Sequence, residues 1–177
     1  LVLSCQSQRI ILTGTLPDED MLPKTFNEKI TKHKIYFNEH PDSTIIKYLK
    51  IPEENIYYIF ENEKEYTSLD NIKFWTIFNY KTGIKELIKR ITNTKEIGLV
   101  GAYDLVINDR VENGDMPLER GEVISDDLFR ISGKASYLLK EITGEDFGSA
   151  GMYATDEELI KLQQKWIKWY NRLSSEN

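Results

Sequence analysis

Eight carboxylates crowd one short stretch of this chain. They are Asp104, Asp109, Glu112, Asp115, Glu119, Glu122, Asp126 and Asp127, and only Arg110 and Arg120 oppose them. Acids at this density can hold a cation, serve a metal-dependent hydrolase, or attract a basic partner. The EF-hand form of a calcium site fails on spacing, which leaves a looser calcium site or a solvated loop. An EF-hand loop needs oxygen ligands at positions 1, 3 and 5, glycine at 6 and glutamate at 12. With Asp109 first, Val111 falls at the third position and Arg120 at the twelfth. Asp126, Asp127 and Glu122 are the acids a hydrolase would use with a metal. Following Ser125, however, the Asp126-Asp127 pair reads as the opening turn of a helix, where acids suit the positive end of the dipole. The two histidines, His33 and His40, lie seven residues apart with no cysteine near them. A closed zinc site needs four ligands, so they read as histidines on a helix surface. No Gly-x-Ser-x-Gly turn, phosphate-cradling glycine loop or Ser/His/Asp grouping is visible. The reading assigns no catalytic residue, cofactor or metal.

The 177 residues suit one domain, and 40% hydrophobic against 29% charged residues suffices for a core. Net charge is −6, all of it contributed by residues 104–127; the remainder balances. Nucleic-acid binding needs a basic stripe to neutralise phosphates, and none is present, which disfavours that class. No stretch approaches the roughly 18 apolar residues of a membrane span.

The single cysteine carries a different chemistry. Val2-Leu3-Ser4-Cys5 runs apolar, apolar, small, Cys, as a bacterial lipoprotein signal does at its end. On this reading the Cys5 sulfur carries lipid, worth about 0.8 kcal/mol per buried methylene. Residues 1–22 are then a signal remnant and tether, within which Arg9 to Thr13 is expected to pack as an extended segment on the domain; 23–173 are a single helical domain, and 174–177 a disordered tail. The expected address is the bacterial cell envelope, with contact to the membrane only through that lipid. A cytoplasmic domain with an incidental Cys5 is the alternative. One cysteine excludes an internal disulfide.

The elements that must position these groups are helical. Phe26, Ile30 and Phe37 recur on one side of residues 24–40, and Pro41 stops the run. A short helix follows over 43–49. Pro52-Glu53-Glu54 opens another through Ile56-Tyr57-Tyr58-Ile59-Phe60, favoured over a strand by its acidic entry. Ser68 is expected to cap a helix carrying Leu69, Ile72 and Trp75, with a break at Thr82-Gly83. Ile84, Leu87, Ile88 and Ile91 form an apolar stripe, and Thr92-Asn93-Thr94 ends it. Ile97, Val100, Tyr103 and Ile107 keep helical spacing, with small Gly98, Gly101 and Ala102 among them. Residues 108–125 are the longest loop. Leu128, Ile131, Ala135, Leu138, Leu139 and Ile142 define the next buried face, which Gly144 ends as a left-handed cap. The last helix opens on the capping box Thr155-Asp156-Glu157-Glu158 and buries Leu159, Leu162, Trp166, Trp169 and Leu173.

The phrase Leu138-Leu139-Lys140-Glu141-Ile142-Thr143-Gly144-Glu145-Asp146-Phe147-Gly148, followed by Trp166-Ile167-Lys168-Trp169, resembles the C-terminal end of bacterial HEAT-like helical-repeat proteins. Gly83 to Ile91 is similar to the second helix of such a repeat. No period near forty residues runs through the chain. The resemblance implies stacked helical hairpins, a binding role and no catalytic residue.

The expectation is therefore an all-α domain of packed helical hairpins, acting as a non-enzymatic binding or scaffold protein. Asp104, Asp109, Glu112, Asp115, Glu119 and Glu122 are its candidate contacts to a protein partner with a basic surface. An immunity-type inhibitor of a toxin is a narrower version, and a metal-dependent hydrolase the opposing one. Geometry separates them: an enzyme gathers the acids in a cleft, whereas a binding module spreads them over an exposed surface.

Overall fold

A computed structural model describes residues 10–41, 43–117 and 120–175. The described residues are predominantly α-helical, with eight α-helices packed on one another and a two-stranded sheet among them. The helices are α1 (Lys24–Glu39), α2 (Ser43–Leu49), α3 (Glu53–Asn62), α4 (Tyr66–Phe78), α5 (Tyr80–Arg90), α6 (Asn108–Glu112), α7 (Ile131–Thr143) and α8 (Asp156–Ser175). Strands β1 (Leu105–Val106) and β2 (Glu122–Val123) pair in parallel, Leu105 opposite Glu122.

Helix α4 is the centre. It touches α1, α2, α3, α5 and α7, and buries Leu69, Ile72, Trp75, Thr76 and Ile77 on several faces, as a helix surrounded by others must. Its capping differs from expectation. Glu65 stands at the N-cap, while Ser68 lies inside the helix and donates back to the Glu65 carbonyl at 2.7 Å. The break before α5 falls at Asn79, three residues ahead of Thr82-Gly83. Gly83 sits within α5 because a Cβ there would lie 2.7 Å from Thr76 Cγ2. The glycine marks helix–helix contact where the sequence suggested a turn. The stripe Ile84, Leu87, Ile88 and Ile91 is fully buried, against α7 and α8.

The helix expected through Ile97–Ile107 does not form. Gly98 and Gly101 adopt φ of 81° and 77°, outside right-handed helical space. The intervening backbone is spent on other elements: Val100 N–H donates to the Lys64 carbonyl and Tyr66 N–H to the Val100 carbonyl, both at 2.9 Å. Ile97 and Gly98 donate to the Phe129 carbonyl. This segment stitches the α3–α4 link to the entry of α7.

The closing hairpin follows its pattern. Gly144 ends α7 at φ 77°. Thr155 N–H donates to Glu158 Oε2 at 2.8 Å, and Glu158 N–H to Thr155 Oγ1 at 3.3 Å. Trp166 is fully buried, its ring 4.7 Å from that of Phe147 and 5.5 Å from that of Trp169.

The described part of residues 1–22 packs on the helices. Residues 10–14 run along α8, with Ile10 N–H on Gln164 Oε1 at 2.8 Å and Thr13 N–H on Asn171 Oδ1 at 2.9 Å. Leu16 and Leu22 enter the core. Burial of these two leucines and the side-chain bonds from α8 make residues 10–22 part of the packed body. At the other end α8 continues through Ser175, and Ser174 Oγ donates to the Thr13 carbonyl at 3.0 Å. Residues 176–177 and Cys5 lie outside the described residues.

Both indole N–H groups, of Trp166 and Trp169, are buried without a partner among the described residues. The worth of Trp166 is therefore packing alone. We expect Trp166→Ala to cost about 3–5 kcal/mol, read as the shift in urea unfolding. Trp166→Phe keeps most of the ring contact and removes an unpaired donor, so its loss should be under half of that.

Candidate functional site: a buried arginine cluster beside an apolar notch

The acidic segment folds around a cation supplied by the chain itself. Arg110, on α6, is 2% exposed. A guanidinium has five N–H donors, and here all five are used. Nε and Nη2 grip Asp127 at 2.8 and 2.7 Å, Nη1 and Nη2 grip Glu96 at 3.1 and 3.0 Å, and Nη1 also reaches Asp115 at 2.9 Å. The guanidinium lies 4.5 Å from the Phe129 ring centroid. Burial opposes its charge, but the bonds from Asp127, Glu96 and Asp115 prevail and raise its pKa. Arg130 approaches the same group, 3.5 Å from Asp127 and 3.8 Å from Glu96. Three carboxylates thus face two guanidiniums.

Local backbone makes this possible. Gly133, in the first turn of α7, would place a Cβ 2.0 Å from the Asp127 carbonyl oxygen, so only glycine lets residue 127 lie against α7. At Gly121 a Cβ would meet the Asp104 carbonyl at 2.6 Å, which is how β2 comes beside β1.

Asp126 and Asp127 do not open a helix. Helix α7 starts at Ile131, with Arg130 at its N-cap. The two aspartates are 1% and 0% exposed and point to different partners. Asp127 accepts from Arg110. Asp126 accepts from the Ala150 amide at 2.8 Å and pairs with Lys140 at 2.5 Å. Burial raises the Asp126 pKa against the pull of Lys140. Both are committed to holding the 126–130 corner. No group of three metal-ligating side chains occurs among the described residues; where Glu96, Asp115 and Asp127 converge, the guanidinium fills the space.

The other acids remain at the surface. Asp104, Glu112 and Glu122 are exposed, and Asp109 is half-buried. Asp115 is exposed but pinned, accepting from Asn113 Nδ2 at 2.8 Å as well as from Arg110. Those bonds, first Asn113 and then Arg110, hold its carboxyl below the usual range. Its contribution is therefore present above the unfolded-state pKa and lost as pH falls through the lower folded value. Glu119 lies outside the described residues.

Beside this cluster is a notch of about 230 Å³. Its walls are Leu99, Val100, Ala102, Leu105, Met116, Pro117 and Phe129, with Asp115 and Tyr103 at the lining. Tyr103 and Val123 nearby are 77% and 61% exposed. The sequence reading found the acids but missed Arg110 and Glu96 as their organiser. The available signal was an arginine inside an acidic run, which is the residue type suited to bidentate carboxylate recognition.

No protein-family model, no curated protein and no solved structure matches this chain.

Arg110→Met should cost about 3–5 kcal/mol at neutral pH, because it leaves a buried carboxylate uncompensated. Urea unfolding of the variant beside the native chain at neutral pH measures the loss.

Proposed function

We propose that this chain is a non-enzymatic binding module of HEAT-like type, anchored in the bacterial cell envelope by lipid on Cys5. It takes a basic protein partner through the surface of residues 99–124. The observation that carries the reading is the apolar notch with exposed acids on the segments that form it: Asp104 lies between the lining residues Tyr103 and Leu105, and Glu122 pairs with Leu105 across the two strands. Asp104, Glu112 and Glu122 make no side-chain hydrogen bond or ion pair among the described residues. An apolar pocket inside a polar, charged rim is how interfaces place their anchoring side chains. The acids would draw a basic partner in and set its orientation. Commitment of Asp126 and Asp127 to Arg110 and Lys140 weighs against the hydrolase alternative, since neither is presented to a cleft. No helix among the described residues is long and apolar enough to cross a membrane, which leaves the lipid as the attachment this reading needs.

The test changes the free acids and spares Asp115, whose bond to Arg110 is structural. Asp104→Asn, Asp109→Asn, Glu112→Gln and Glu122→Gln are combined and compared with the native chain in cross-linking to envelope proteins. Recovery of a basic partner should fall about tenfold or more at low salt, with helical content unchanged, as expected where electrostatics dominate encounter. Equal recovery rejects the surface. Cys5→Ser should move the protein from the membrane fraction to the soluble one, and unchanged membrane attachment rejects the lipid.

A further inference from the structure

A second groove, unrelated to the acidic segment, lies where α1, α4 and the end of α7 meet. It encloses about 430 Å³ and is lined by Lys29, Lys32, His33, Tyr36, Lys73, Phe74 and Glu141. Ligand pockets are commonly of this size. Three ammonium groups face Glu141 and the Asp70 partner of Lys73, a local excess of positive charge on a chain whose total is −6.

Two of the lysines are held in place. Lys29 Nζ donates to the Glu141 carbonyl at 3.1 Å, and Lys73 lies 3.0 Å from Asp70 with its side chain 14% exposed. Lys32 is exposed and makes no bond among the described residues. Two aromatic rings complete the lining. Phe74 meets the His33 ring edge-on at 5.9 Å, and Tyr36 stacks on His40 at 4.8 Å.

His33 is the informative group. Its Nδ1 lies 2.7 Å from the Lys29 carbonyl. A carbonyl only accepts, so Nδ1 carries the proton and Nε2 is a bare acceptor in the neutral ring. Burial lowers the His33 pKa, the bond to the Lys29 carbonyl opposes that, and the charges of Lys73 and Lys29 lower it further against Glu141. The ring is therefore neutral at neutral pH, and gains a proton most readily when an anion enters beside it.

We propose that this groove binds a phosphate monoester, with the dianion held by Lys32, Lys73 and Lys29 and an attached flat apolar body lying against Phe74 and Tyr36. Lysines act on phosphate as point charges, and the positive surplus of the groove favours an anionic ligand. The charged groups facing His33 are Lys29 and Lys32 from α1, Lys73 with its partner Asp70 from α4, and Glu141 from α7. Protonated His33 adds a fourth cation, so binding of the dianion and protonation of His33 favour one another. The ester can come from a free metabolite or from a lipid headgroup.

The protein's two histidines make the test direct. In His40→Gln the only imidazole signal is that of His33, and NMR follows its titration. Phenyl phosphate should raise the His33 midpoint by about one unit, equivalent to about tenfold tighter binding to the protonated form. Vesicles of phosphatidylcholine with and without phosphatidic acid form the second arm. A shift with phenyl phosphate assigns a soluble ester, and a shift only with phosphatidic acid assigns a lipid headgroup; both support the groove. Lys32→Gln with Lys73→Gln should cut the affinity about tenfold or more in whichever arm responds. The idea fails if neither probe moves His33, if the double variant responds as the native chain does, or if inorganic phosphate shifts it as strongly as phenyl phosphate.

Discussion

A single buried guanidinium organises the part of this protein that hydrophobic burial does not. Between α5 and α7 the chain runs some forty residues with little regular structure, and its two strands are two residues each. Arg110 gathers that segment by spending every donor on a carboxylate: Glu96 from before β1, Asp115 from just after α6, Asp127 from the corner before α7. Desolvating an arginine costs several kcal/mol unless its hydrogen bonds are complete. Completing them demands three separate stretches at once, so the buried charge specifies one arrangement of the loop. The Phe129 ring on the guanidinium face covers what the carboxylates leave open.

The helical body depends on a different constraint, close approach. Gly83 admits Thr76 between α5 and α4, and Gly133 admits the Asp127 backbone against α7. A helical glycine costs roughly 1 kcal/mol relative to alanine, and both contacts are too tight for any Cβ. These two positions link the layers: α4 and α5 frame the core, while α7 carries the corner to which Arg110 is tied. Lys134 adds a tie from α7, its buried ammonium donating to the Glu63 carbonyl at 2.9 Å where α3 ends. Burial lowers its pKa to about 8 against the pull of Glu63, so it sits close to its titration while holding a helix terminus.

Local rules were readable where one element decides its own conformation. The stripe of α5, the Gly144 cap, the capping box of α8 and the buried face of α7 follow from spacing and end chemistry alone. Spacing misled where the partner lay far along the chain. Ile97, Val100, Tyr103 and Ile107 have helical intervals, yet Val100 is bonded to Lys64 and Tyr66, and Ile97 to Phe129. The glycines among them adopt positive φ, which the spacing of apolar residues does not register. Asp126-Asp127 resembled a helix start because acids favour that position, whereas Arg110 and Lys140, 17 and 14 residues away, were the partners in fact. The extended packing of residues 10–13 was legible, but its partners were not: amide side chains on α8, Gln164 and Asn171, fix that stretch from more than 150 residues away.

The same division explains why an acidic surface persists on a stable domain. Eight like charges within 24 residues repel in any compact arrangement. The fold takes Asp126, Asp127 and Asp115 out of that repulsion by pairing them with Lys140, Arg110 and Arg130. Asp104, Glu112 and Glu122 stay in water, where exposed charges interact over about 8 Å at physiological ionic strength. Their field is therefore confined to their immediate surroundings. Folding alone gives no reason to keep them beside apolar walls and an exposed Tyr103, since water solvates them equally well anywhere on the surface. Their placement is a property of the surface, separable from stability, and it is on the surface that its use must be sought.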